Sequence, residues 1–94
     1  MHVVRKATVK EQMVTFDIDV KAQEFTVKNF TPGDIYVSDV APVVKDKAIL
    51  IPAKSGQDIT MGKTNTSGET AVNKLYVLPD QTSEVGVEVQ ATRW

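Results

Sequence analysis

The chain contains no cysteine, which excludes a disulfide framework and any thiolate metal site. Its single histidine, His2, stands at an end expected to be loosely held, so neither a Ser/His triad nor a His-rich metal centre has the residues it needs. An excess of charge of one sign is also missing. Eleven basic residues against 12 acidic ones leave a net charge of −1, which gives no electrostatic footprint for nucleic acid or an anionic membrane. No apolar run approaches the roughly 20 residues that span a bilayer as a helix. The opening residues Met1-His2-Val3-Val4-Arg5-Lys6 lack the apolar core of a signal peptide. The expectation is a soluble protein with no cofactor and neither nucleic acid nor membrane as partner.

What is present is alternation. In residues 13–20, Val14, Phe16, Ile18 and Val20 fall on one side and Thr15, Asp17 and Asp19 on the other, the period-two pattern of a strand with one wet face. Phe25 and Val27 alternate with Thr26 and Lys28, and Ile35 and Val37 resume the apolar side after Thr31-Pro32-Gly33-Asp34. That stretch reads as strand, tight turn, strand, with Pro32 presetting φ and Gly33 supplying the positive φ of a type II turn. Residues 48–51 form another short apolar run, closed by Pro52. Ile59 and Met61 point inward from residues 58–61, and residues 75–78 form a strand ended by Pro79. In residues 85–94, Val85, Val87, Val89 and Ala91 share one side. Residues 38–46 read as a loop whose Val40, Val43 and Val44 fold back onto the sheet, and residues 62–70, with no large apolar side chain, as a mobile exposed loop.

Ninety-four residues, 41% hydrophobic and 24% charged, fit one globular domain, residues 1–94. The turn spacing predicts an all-β fold, an antiparallel β-sandwich or small barrel of about seven to eight strands. Residues 3–9 mix Val3, Val4 and Val9 with charged residues, so residues 1–10 are a candidate arm or exchanged strand. A chain this small gains stability by self-association. The expected oligomer contacts are Val3, Val4, Val9 and the terminal Trp94, whose indole either closes the core or plugs a neighbouring subunit.

Residues that resemble chemistry have plainer readings. Asp17 and Asp19 stand about 7 Å apart by strand rise, a separation open to cation binding or acid–base work, but acids alternate routinely on a solvated strand face. Gly62-Lys63-Thr64 matches the end of a phosphate-binding loop, yet the required earlier glycine falls at Gln57. Asn65-Thr66-Ser67 has the form of a glycosylation acceptor without a secretion signal to give it meaning. Tyr36 and Tyr76 are out of phase with the inward residues, or share the core if their strands are buried on both faces. With Trp94 they are the aromatics that a surface-binding face would use.

The run Phe25-Thr26-Val27-Lys28-Asn29-Phe30, the turn to Ile35-Tyr36-Val37, the strand Ile49-Leu50-Ile51-Pro52-Ala53 and the late pair Leu75-Tyr76-Val77 and Val85-Gly86-Val87-Glu88-Val89 form a recognisable set. The set resembles small β-sandwich accessory proteins encoded among the structural genes of tailed bacteriophages and prophages. The similarity covers residues 24–94, and it departs where that family's glycine follows Pro-Ala, because Lys54 and Ser55 precede Gly56 here. The resemblance implies a virion component made in the host bacterial cytoplasm: a capsid decoration protein, a head-fibre base, or a neck or tail accessory. It implies self-assembly and binding to other virion proteins, the capsid protein among them, and no catalytic residues. A carbohydrate- or cell-surface-binding module is the alternative.

Overall fold

Among the described residues the alternating runs become eight strands: β1 (His2–Thr8), β2 (Val14–Ala22), β3 (Glu24–Asn29), β4 (Ile35–Ser38), β5 (Ile49–Ile51), β6 (Gly56–Thr60), β7 (Val72–Pro79) and β8 (Ser83–Arg93). The computed structural model describes residues 2–60 and 72–93. The loop read at residues 62–70, Met61, the Gly-Lys-Thr and Asn-Thr-Ser matches and Trp94 therefore lie outside the described residues.

The strands form two four-stranded antiparallel sheets, ordered β1-β8-β3-β6 and β2-β7-β4-β5. Among the described strands only β4 and β5 are sequential neighbours in one sheet; the other consecutive strands alternate between the two sheets. This order is that of a jelly roll. The inward residues of the two sheets meet in one core. Phe16 of β2 and Phe25 of β3 are fully buried there, each contributing about 2–3 kcal/mol relative to exposure.

The expected Pro32-Gly33 hairpin is not a hairpin, since β3 and β4 belong to different sheets. Gly33 has no left-handed backbone either; among the described residues the one glycine with positive φ is Gly86, at 62°. Asn29 accounts for the difference. Its buried side chain holds residues 29–33 as a corner, with its amide nitrogen 2.9 Å from Gly33 O and 3.1 Å from both Ile51 O and Pro52 O. Its Oδ1 accepts from Thr31 N at 2.9 Å and from Thr31 Oγ1 at 2.7 Å. The chain is thereby turned towards β5 rather than back along β3.

Two further expectations need correction. Val40 and Val44 are 63% and 50% exposed, not folded onto the sheet. A local turn in which Val40 N–H donates to Ser38 Oγ lifts this loop outward, and a short 3₁₀ turn, Lys45–Lys47, returns it to β5. Val85 is 56% exposed although Val87, Val89 and Ala91 are buried. The left-handed Gly86 inserts a bulge that breaks the alternation and rotates Val85 outward. Residues 2–8, read as a strand or an arm, are the edge strand β1 paired with β8 of the same chain.

Candidate functional site

His2 is not loose: its Nδ1 pairs with the Asp19 carboxylate. Asp17 stands opposite Lys74 in the β2–β7 ladder and, like Asp19, faces solvent. Among the described residues, no three His, Asp or Glu side chains converge to hold a metal ion. What the fold does build is two outward surfaces, one on each sheet.

On the second sheet the registers put Leu78, Tyr36 and Leu50 side by side across β7, β4 and β5. Extending the Val14–Val77 pairing by one residue sets Met13 beside Leu78, so an apolar row crosses the whole outer face. The next row is Thr15, Tyr76 and Ser38. Tyr36 and Tyr76 are therefore out of phase with the core, half-buried, on neighbouring strands of one face. Leu50 is 47% exposed and Met13 is exposed as well. A cation lies against the inner part of the row: the Lys45 ammonium is 5.0 Å from the Tyr36 ring centroid and 3.6 Å from Asp80 Oδ1, an exposed cation–π contact of about 0.5–1 kcal/mol.

On the first sheet, Arg5, Glu88 and Lys28 are direct neighbours on β1, β8 and β3. Glu88 is only 7% exposed, and a carboxylate so covered needs partners. Arg5 Nη2 donates to its Oε1 at 2.6 Å, and Lys28 Nζ lies 3.7 Å from its Oε2. The Arg5 hydrogen bond is the main reason the Glu88 carboxyl titrates below its ordinary value, against the opposing effect of burial. A lowered pKa contributes stability above the ordinary carboxylate range, and that stability is lost as pH falls through the folded-state pKa. Glu88→Gln should therefore cost about 1 kcal/mol at pH 7 in urea unfolding, discounted for the exposed Arg5. The gap to the wild type should close in acid; a gap that stays constant from pH 7 to pH 3 would contradict the ion pair.

Beside this ladder lies an open cleft of about 340 Å³ lined by Arg5, Phe30, Lys54 and Val85. Two of its walls are set by irregularities of the backbone. The Gly86 bulge exposes Val85, and Gly86 O accepts from Phe30 N at 3.0 Å. Lys54 has φ of 60°, a left-handed conformation that costs a non-glycine residue roughly 1–2 kcal/mol. Its Nζ reaches Phe30 O at 3.0 Å, and the Arg5 guanidinium lies 5.8 Å from the Phe30 ring centroid.

The residues expected at an oligomer contact are dispersed. Val3 and Val9 are exposed, on β1 and in the turn after it, whereas Val4 packs against the core. Arg5, Phe30 and Lys54 were not singled out by sequence. The signals that would have found them are a glycine inside a valine strand, which marks a bulge, and a lysine standing where a glycine suits the turn. No protein-family model, curated protein or solved structure matches the chain.

Proposed function

We propose that this chain is a non-enzymatic accessory structural component of a phage particle, a capsid decoration, head-fibre or neck/tail protein. It acts by associating with copies of itself and by binding other virion proteins. The observation that carries the reading is the apolar row Met13-Leu78-Tyr36-Leu50 across the outer face of the second sheet. A domain of this size buries a modest fraction of its surface. Covering that row with a second copy adds about 25 cal/mol for each Å² of apolar surface removed from water. The jelly-roll order adds an analogy at the level of fold, since viral capsid domains share it. The edge strand β1, with Val3 exposed, offers a further contact for the same assembly.

A second reading, a carbohydrate- or cell-surface-binding module, draws on the placement of Tyr36 and Tyr76 on that same face, where aromatic rings can stack on sugars. Mass spectrometry of purified particles, with copy number counted against the capsid protein, separates the two. The structural reading expects many copies per particle and no glycan affinity that depends on Tyr36 and Tyr76. Absence from particles, with glycan binding lost in Tyr36→Ala, would replace it with the second reading.

A further inference from the structure

We infer that the cleft between Arg5, Phe30, Lys54 and Val85 is a docking site for an acidic peptide segment of a partner protein, with one apolar side chain flanked by carboxylates. The inference rests on the reading of the chain as a binding component and names the chemistry of one partner.

The floor is apolar, formed by the Phe30 ring and by Val85, which the Gly86 bulge leaves 56% exposed. A volume of about 340 Å³ lies at the lower end of the range for sites that enclose a ligand, enough for one large side chain and its flanks.

The rim supplies the polarity. Arg5 and Lys54 line the cleft, and Lys28 stands beside it, sharing the Glu88 carboxylate with Arg5. Both charged side chains among the described lining residues are cations, in a chain whose overall net charge is −1. An approaching carboxylate meets the outer donors of Arg5 and the ammonium of Lys54. Lys54 also holds this place in a backbone conformation that glycine adopts without strain. An unfavourable conformation kept at the rim of a cleft is the pattern of strain held at a binding site.

The test is a titration of the isotopically labelled full chain, followed by amide NMR shifts. The probes are a capped pentapeptide with phenylalanine between two aspartates and its counterpart with two lysines. The acidic peptide should produce saturable shifts at Arg5, Phe30, Lys54 and Val85, with affinity falling about tenfold as salt screens the charges. The lysine peptide should bind at least about tenfold more weakly. Lys54→Gly should keep the rest of the spectrum, since glycine suits the left-handed position, while weakening the acidic peptide by about tenfold.

Three results would overturn the inference: no saturable shifts at those amides, equal binding of the lysine peptide, or affinity unchanged in Lys54→Gly. Any of these in a chain that still self-associates removes the docking site alone. Peptide binding as described, in a chain absent from particles, upholds the cleft and removes the virion reading instead.

Discussion

Gly86→Ala is expected to lower the unfolding free energy by about 4 kcal/mol, against a total on the order of 5–14 kcal/mol for a chain of this length. Two effects add. With φ of 62°, Gly86 occupies a region where an L side chain costs roughly 1–2 kcal/mol. A Cβ there would also stand 1.8 Å from Lys6 O and 2.7 Å from the Ala7 Cα. Both neighbours are backbone of β1, so relief requires β1 to move off β8. Gly33→Ala provides the contrast. Its new Cβ would lie 2.5 Å from Gln81 Cγ, a side chain that can turn aside, and its backbone is not left-handed. It should cost about 1 kcal/mol. Chemical denaturation of the two variants checks the pair, and Gly86→Ala within 1 kcal/mol of the wild type would mean that β1 does not pack as described.

Asn29→Ala should be nearly as damaging, at about 3–4 kcal/mol. The Asn29 amide serves the carbonyls of Gly33, Ile51 and Pro52 and both donors of Thr31, in a position 1% exposed. Alanine leaves these groups buried without the partner, at about 1–3 kcal/mol for each one that water cannot reach. Asn29→Asp keeps the shape but turns a carboxylate oxygen towards three carbonyls, so it should be no milder. Thr31→Val removes one hydroxyl from the network and should cost about 1–2 kcal/mol. Denaturation midpoints that rank Thr31→Val below Asn29→Ala would contradict the central place of the asparagine.

Where alternation was unbroken, the fold was legible in the sequence. Residues 14–20 place Phe16 and Ile18 in the core because a period of two with one wet face has a single sensible orientation, and β2 has it. Tyr36 and Tyr76 fell out of phase with their neighbours for the same reason, which set them on the outer face. What was not legible depended on tertiary hydrogen bonds and on irregular backbone. Pro32-Gly33 has hairpin chemistry, yet Asn29 binds the carbonyls of Ile51 and Pro52, at and just past the end of β5, and makes a corner. No local pattern announces that contact. Val85 obeyed the alternation and still faces outward, because Gly86 resets the phase. The cleft was invisible for the same reason, since its walls come from β1, the corner after β3, the turn before β6 and the bulge in β8.

Self-association through the outer face of the second sheet is the central claim, and sedimentation velocity over a concentration series tests it most directly. Leu50 stands on the edge strand β5 with 47% exposure, so Leu50→Lys should leave the fold intact while placing a charge within the apolar row that the contact would bury. The full chain should sediment as an oligomer whose fraction rises with concentration. Leu50→Lys should shift that equilibrium towards monomer by at least about tenfold, the equivalent of 1.4 kcal/mol. A wild-type chain that stays monomeric at every concentration, or an oligomer untouched by Leu50→Lys, would contradict the account.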